Sequence, residues 1–515
     1  MKSCIIGIIC FFGCCSMMRA EGILDREIQL PKTKETIYQL LSRVTDLTGY
    51  FFIYDSDIIN NEKKVKFPGG VYNLKQSIYL ITKDSTLQIK LINRHILLYK
   101  KEIPFTADTK NLPVMKDSLN YVLARAVIKD AQTKEPIPFV SVAIEDTGIG
   151  TITNQSGEFM LKVLFSDTIR NIQISHVGYN QQIIPIELFL NNPVDIYLQT
   201  KMVPLQEVII GLVNPQKIVR EMLNNRPVNY RNEPVYFTSF YREGVERKNA
   251  IVSLTEAVFQ IYKTGFESSS EDQVKLLKMR RISNDEEKDS IVLKMRAGID
   301  ASLHLDIIKY LPNFFELNDE NPFNYMKIDM AITDNGLAHV IAFEQKPEIN
   351  EPLYKGELYI DSENSALLVA HFEVNPNFID KSTNLFVLKK PKNIDIKPEN
   401  ANYYVYYKNW NGTYYLSHLR GDLTFKIKKK NAFLQPAKSI HAFFEMAVCK
   451  IDTVNVKRFS GKESFPTRNV FSETQFRYDN RFWDDFNVIL PEEKLNDAIA
   501  RISSKIEEIK VENDE

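Results

Sequence analysis

The chain has 515 residues, too many for one hydrophobic core, so about three domains are expected. Its 65 Lys and Arg against 66 Asp and Glu leave a net charge of −1, which removes the electrostatic basis for binding nucleic acid. A hydrophobic content of 44% is ordinary, and 24 Tyr with 31 Phe lean towards β-structure, where aromatic rings pack on pleated surfaces.

Lys2 followed by the apolar run CIIGIICFFGCC reads as an export signal over residues 1–20. The run is shorter than the roughly 20 residues a membrane helix needs, and no later segment is long and apolar enough, so the mature chain is expected to carry no transmembrane segment. Cleavage after Ala20 fits ordinary export. In the alternative, FFGC at 11–14 is similar to a degraded lipobox and Cys14 is the lipidation site, although Phe11 and Phe12 suit that pattern badly. The expected location is periplasmic or outer-membrane-associated, as a lipoprotein if Cys14 is acylated. Cys4, Cys10, Cys14 and Cys15 fall in or beside the signal, so Cys449 stands alone and no intrachain disulfide framework exists in the body of the protein. Within FFEMAVCKI, Cys449 reads as a small buried hydrophobe.

Residues 25–101 alternate strands and helices. REIQL is a strand; Ile37, Leu40, Leu41, Val44 and Leu47 recur at helical spacing, and Gly49 supplies the stop. YFFIY and VKF follow as strands, then a helix over Leu74–Ile81, then TLQIKLI and HILLY. The stretches TIYQLLSRVTDLTGYFFIYDSDIINNEKKVKF and NLKQSIYLITKDSTLQIKLINRHILLY resemble the short N-terminal domain of secretins and TonB-dependent transporters (STN). Residues 102–120, with two prolines and no sustained period, read as a linker.

Residues 121–200 carry short strands with turn signals about every ten residues, which argues for a β-sandwich. YVLARAVI, EPIPFVSVAIEDT, TITN, EFMLKV and the two halves of IQISHVGYNQQIIPI are the strands, with a turn at Asn154–Gly157 and a bend at Gly178. TITNQSGEFML and ISHVGY resemble the carboxypeptidase-like regulatory domain, a transthyretin-like sandwich. That resemblance implies no zinc site. None of the seven histidines begins a His-x-x-Glu, and no metal or cofactor is expected. His371 and Glu373, two apart on a strand, point the same way, as a surface contact rather than a metal pair.

VPLQEVIIG at 203–211 resembles the run that follows such a sandwich in TonB-dependent transporters. The resemblance implies a partner-binding tether at 201–213 through Leu205, Glu207, Val208, Ile209 and Ile210, adding as a strand to a TonB-system or outer-membrane component. Packing in cis as a last strand is the favoured alternative, because no membrane barrel follows.

Residues 214–515 open with a helix capped by Asn214 with Pro215 in its first turn. Long strands follow, with hairpins turning at Asp361–Asn364 and at Asn411-Gly412. Helices are expected near Leu303–Leu311 and Leu495–Ile509. The whole chain therefore reads as multidomain α+β: a small βα-duplicated N-terminal domain, a transthyretin-like β-sandwich and a larger C-terminal antiparallel-sheet α+β domain. NYRNEPVYFTSFYRE, YKGELYID, GTYYLSHLRG and YDNRFWDDFNVILPEEKLNDAI resemble the tail of envelope proteins that carry the regulatory domain, a likeness that implies no activity.

No nucleophile, phosphate-loop or dinucleotide motif is present, and no catalytic residue is assigned. Glu243, Glu256 and Asp361 are carboxylates of the right type for glycoside hydrolysis, but each reads first as a solvated or salt-bridged strand residue. The aromatics of FYRE and RFWDDF read as core anchors before a sugar platform. The expectation is a non-enzymatic envelope protein of three independently packed modules with mostly solvated polar residues, serving outer-membrane uptake or envelope maintenance. A deep pocket with two facing carboxylates would favour a glycan-directed hydrolase; a shallow apolar groove in the curved sheet would favour a lipid or lipoprotein carrier.

Overall fold

The computed structural model describes residues 23–54, 59–60, 63–92, 95–99, 121–164, 171–189, 194–200, 214–248, 250–283, 294–295, 298–333, 336–389, 394–430, 436–467 and 486–492. The chain divides into two compact units, Met1–Val114 and Met115–Glu515. The helix expected at Leu495–Ile509 lies outside the described residues, as do the signal and the linker.

In the first unit, Thr36 and Asn73 start the helices Ile37–Thr48 and Leu74–Thr82. Each cap side chain accepts the N–H three residues on, while Gln39 or Gln76 reaches back to the cap's own N–H. The reciprocal box satisfies two donors that a helix start leaves orphaned. Gly49 ends the first helix at φ 74°, the left-handed conformation glycine adopts without strain. Leu40, Val44, Leu74, Ile78 and Ile81 close over Leu87 and Ile96 as one core. Phe51–Tyr54 runs parallel to His95–Tyr99, which pairs antiparallel with Gln88–Ile92. Two short antiparallel pairs, Glu27–Leu30 with Gly70–Asn73 and Thr33–Thr36 with Lys64–Phe67, complete the unit.

The second unit begins as two facing sheets. Tyr121–Asp130 lies between Glu158–Leu164, antiparallel, and Val194–Leu198, parallel. Opposite, the order is Gly150–Ile152, Ser141–Ile144, Asn171–Ser175, Gln182–Pro185, all antiparallel. Alternation buries Phe159, Leu161 and Val163 from one sheet and Val142, Ile172 and Ile174 from the other. The TITNQSGEF segment is structural. Thr153 Oγ1 donates to Ile137 O and accepts Val140 N–H, and Asn154 Oδ1 accepts the N–H groups of Ser156 and Glu158. Gly157 turns at φ 73°, where a Cβ would lie 2.4 Å from Ile128 O. Only Ser141–Ile144 of the expected EPIPFVSVAIEDT strand is extended.

Beyond the sandwich stands one antiparallel sheet of ten strands. In spatial order they are Gln273–Ser283, Ala250–Lys263, Val235–Arg247, Lys438–Asp452, Thr413–Lys429, Ile394–Trp410, Leu367–Val374, Tyr354–Asp361, Leu337–Gln345 and Phe323–Ile332. Asn411 and Gly412 turn the longest hairpin at φ 50° and 77°, as a primed turn requires. Gly244, Gly356 and Gly421 each sit opposite a phenylalanine, Phe443, Phe372 and Phe444, whose ring or Cβ occupies the space a Cβ would need.

One face of this sheet carries Phe237, Tyr241, Phe259, Leu358 and Phe372 against the helices Pro215–Asn224 and Gly298–His304 and the turn at Asn313–Phe315. Phe314 stacks on Phe343 at 4.3 Å, so the space under the helices is filled by side chains. The helix expected at Leu303–Leu311 ends at His304. Asp306 is drawn instead to the sheet, where its carboxylate meets Lys263 at 2.8 Å and the Tyr407 hydroxyl at 2.9 Å.

The other face of the sheet holds the sandwich. Ile152 and Met160 pack on Phe240, Val258, Ala447 and Cys449, with Val488 and Ile489 inserted beside them. Gly148 and Ile451 are joined through their backbones, as are Gly178 and Ile332. Two of the three modules expected to pack independently are thus one compact unit, because each leaves an apolar face that the other covers.

Candidate functional site

Register builds the site. One rung of cross-strand neighbours traverses all ten strands on the sandwich-bearing face: Arg280, Glu256, Arg242, Glu445, Arg420, Tyr404, His371, Glu357, Ala342, Met326. The first five alternate in charge, so each arginine sits directly opposite a carboxylate. Arg242 donates to Glu256 at 2.7 Å and Glu445 at 2.9 Å, and to the carbonyl of Ile489 at 2.8 Å. Arg280 closes on the other Glu256 oxygen. Arg420 forks onto Asp422 at 2.8 and 2.9 Å and reaches Glu445 at 3.4 Å. Burial pushes Glu445 up, but the charges of Arg242 and Arg420 beside it outweigh that and hold the carboxyl well below its usual range. Glu256, read from sequence as a solvated or salt-bridged strand residue, is salt-bridged and wholly buried.

The second half of that rung, with the next rung Asn402, Glu373, Lys355, Glu344 and Asn324, floors an open trough of about 720 Å³. Its exposed wall is mainly carbon, from Tyr404, Ala342, the 63% exposed Met326 and the side-chain stems between them. His371 and Glu373 do share a face, yet neither binds the other: His371 Nε2 meets the Tyr406 hydroxyl at 2.9 Å and Glu373 pairs with Lys355 at 3.1 Å. Burial, then the neighbouring His176, pushes His371 down to about 4, so it is neutral. Glu357 accepts the Tyr359 hydroxyl at 3.0 Å.

The three carboxylates singled out from sequence do not converge. Glu256 belongs to the charged rung. Glu243 lies on the helix-bearing face, taking the Tyr241 hydroxyl at 2.6 Å, with burial raising its carboxyl. Asp361 caps the hairpin turn by accepting the N–H groups of Glu363 and Asn364. Phe240 and Tyr241 of FYRE are core residues, one on each face. Cys449 is buried and its thiol is pushed up to about 12. Cys14 and the tether residues Leu205, Glu207, Val208, Ile209 and Ile210 lie outside the described residues. Among the described residues no three of His, Cys, Asp and Glu are grouped to hold a metal, and no helix is long and apolar enough to cross a membrane.

Residues 126–210 match the CarboxypepD_reg-like domain family. The regulatory-like domain thus takes in the sandwich from its first strand and runs on into the 203–211 segment. No curated protein matches the chain. Among solved structures, a DUF1329 family protein from Desulfovibrio piger is 10% identical over 48% of this chain and 96% of its own, with a TM-score of 0.20. An outer membrane lipoprotein-sorting protein domain from Vibrio parahaemolyticus is 8% identical over 47% and 95%, at 0.21. A LolA superfamily protein from Nitrosomonas europaea is 10% identical over 48% and 96%, at 0.17.

At the edge of the charged rung, His441 lies between two carboxylates, Asp422 at 3.1 Å and Glu246 at 3.5 Å. Its hydrogen bonds to Asp422 and then Glu246 raise it to about 9. The folded value exceeds the unfolded one of about 6.5, so this contribution is complete below about pH 6.5 and lost as pH rises to about 9. The side chain is 33% exposed, and solvent screening reduces the effect to about 1 kcal/mol. His441→Gln should therefore lose less urea resistance than the wild type between pH 6.5 and 9. Equal losses in both proteins would contradict the assignment.

Proposed function

We propose that this chain is a non-enzymatic envelope binding protein whose trough receives the acyl chains of a lipid-modified peptide. The observation that carries the reading is the open, mainly carbon-walled groove on the large sheet, its volume of about 720 Å³ falling within the roughly 300–1,000 Å³ typical of ligand sites. Charge narrows the ligand. Glu344, Glu357 and Glu373 face the groove against one lysine, Lys355, and His371 is neutral. An anionic phospholipid or free fatty acid would meet net negative charge. The acyl chains of a lipoprotein carry none, and each buried methylene adds about 0.8 kcal/mol.

TM-scores near 0.2 give the lipoprotein-sorting likeness no weight, so the reading rests on the groove. An STN-like domain at 25–101 and a tether at 201–213 engaging a TonB-system or outer-membrane component fit an envelope role and belong to the same proposal. The glycan-directed hydrolase is the weaker reading, because Glu357 and Glu373 are already engaged by Tyr359 and Lys355.

The test is titration of the exported chain with a fluorescent dipalmitoylated cysteine peptide and, separately, with phosphatidylglycerol vesicles. Micromolar binding of the peptide is expected, weakened at least tenfold by Met326→Asp. Met326 stands exposed on an edge strand, so the substitution spares the fold. Binding untouched by that substitution, or preference for the anionic vesicles, would refute the proposal.

A further inference from the structure

In the first unit, Thr33–Thr36 and Lys64–Phe67 form a two-stranded antiparallel ribbon that no third strand joins among the described residues. Val65 and Phe67 turn into the core, so Lys64 and Lys66 alternate onto the outer face. Lys34 stands directly opposite Lys66 on that face, and Lys32, also exposed, lies beside Gly69. None of these four side chains has a hydrogen bond or ion pair among the described residues. The ribbon's acid, Glu35, faces the other way, opposite Val65, and is taken by Arg43 at 2.8 Å. Like charges set across a ladder repel. The large sheet avoids that cost by placing Arg242 opposite Glu256 and Glu445; the ribbon bears it.

Register fixes which main-chain groups face outward. Ile37 N–H donates to Lys63 O, one step beyond the Thr36–Lys64 pair. Bonded and open pairs alternate along an antiparallel ladder, so Glu35 with Val65 and Thr33 with Phe67 are the bonded pairs. The N–H and C=O groups of Lys64 and Lys66 therefore point away from the partner strand. Those of Lys34 and Thr36 also point away, but Gln39 Oε1 takes the Thr36 N–H at 3.0 Å and closes that edge. The edge of Lys64–Phe67 stays open: its outward main-chain groups have no partner among the described residues. Unmatched main-chain groups and lysine side chains thus coincide on the same two residues. An extended chain meets both. Its residues opposite Lys64 and Lys66 are two apart and share their outer face, where carboxylates offset the lysines. The residue between them turns inward beside Val65, where an apolar side chain fits. A membrane surface would match the charges and leave the main chain unpaired.

We propose that the Lys64–Phe67 edge binds an extended acidic segment of a partner protein, acid–apolar–acid in pattern, as a third strand of the ribbon. Main-chain bonds supply the attachment, and the lysines select the charge. The site is built from first-unit residues alone, so its failure would leave the acyl-chain reading standing.

The experiment is fluorescence anisotropy of the exported chain with a labelled, end-capped peptide, Thr-Glu-Val-Glu-Val-Thr, at low ionic strength. Saturable binding is expected. The double change Lys64→Gln and Lys66→Gln should weaken it about tenfold, and both side chains are exposed, so the fold is spared. Lys75→Gln, an exposed lysine on the helix Leu74–Thr82, should bind as the wild type does. The same peptide with every backbone nitrogen methylated keeps its charges, loses the ladder and should not bind the wild type. The proposal is overturned if the peptide does not bind, or if the methylated peptide binds equally well. It is also overturned if the double variant keeps full affinity; self-association of that variant would then mark the lysines as guards of the edge and nothing more. Phosphatidylglycerol vesicles held through Lys64 and Lys66, with the peptide ignored, would make this a membrane-facing surface and overturn it too.

Discussion

Arg242→Ala should destabilise the second unit by about 3–5 kcal/mol, the cost of removing one partner from a buried ionic network. Arg242 is the centre of the charged rung, and its side chain is 3% exposed. Its guanidinium serves Glu256, Glu445 and the carbonyl of Ile489 at once. Without it, among the described residues Glu256 keeps only Arg280, and Glu445 keeps Arg420 at 3.4 Å. Both carboxylates would stay in a low-dielectric seam with too few donors. The damage is also spatial. Residues 486–492 are gripped by Arg242 from the sheet and by the sandwich, where Thr151 donates to Val488 O at 3.0 Å and Lys162 N–H to Asn487 at 2.7 Å. Losing the arginine loosens the segment that joins the two modules.

Urea unfolding at pH 7 measures the effect as a fall in the midpoint. An Arg242→Ala midpoint within error of the wild type would remove the network from any account of stability. The combination Arg242→Met, Glu256→Leu, Glu445→Met and Arg280→Met should recover most of the loss, because Glu256 and Arg280 leave together and Arg420 keeps Asp422. That contrast separates uncompensated charge from simple loss of packing. It also implies that the rung specifies register more than it stabilises. A two-residue slip on Val235–Arg247 would put Phe240 or Gly244 opposite Glu256 and Glu445, so only one pairing matches every arginine to a carboxylate.

Features held by nearest neighbours were legible in the sequence. The Asn411-Gly412 turn, the Gly49 stop and the Asn154–Gly157 turn each depend on one residue's backbone freedom, and each occurs where the residue type demands it. The capping boxes at Thr36 and Asn73, T-x-x-Q and N-x-x-Q, are equally local, yet only the apolar spacing and the Gly49 stop announced these helices in the sequence reading. What stayed hidden depends on pairing across long separations. Met326 and Arg280 belong to one rung through eight intervening strands, and nothing in the spacing of FTSFYRE or LTEAVFQ says that Arg242 faces Glu256. A charged residue on a strand reads as solvated because the sequence does not show what will cover that face. The sandwich covers it here, and that docking buries the rung. The trough was invisible for the same reason: its ten floor residues come from five strands that no local pattern brings together.

The other large effect is expected at Asp272, which anchors the helix-bearing side. Its side chain is fully buried and accepts from Lys263 at 2.7 Å, Lys309 at 2.6 Å, and the N–H and hydroxyl of Thr264, both at 2.9 Å. One carboxylate thus holds two lysines, the second from the segment that follows Gly298–His304. Asp272→Asn keeps the shape and removes the charge. Lys263 retains Asp306 at 2.8 Å, but Lys309 is left with the Thr264 hydroxyl and the Ser270 carbonyl. The expected loss is about 3–5 kcal/mol at pH 7. The sign with pH is fixed. Burial already holds Lys309 below its ordinary value despite the attraction of Asp272, and removing that attraction lowers it further. Where the folded lysine has shed a proton that the unfolded chain still binds, stability rises with pH. The deficit of Asp272→Asn relative to the wild type should therefore shrink between pH 7 and 10, and the added change Lys309→Met should restore most of it at pH 7. Equal urea midpoints for Asp272→Asn and the wild type at pH 7, or a deficit that widens with pH, would show that the lysines are not held by this carboxylate.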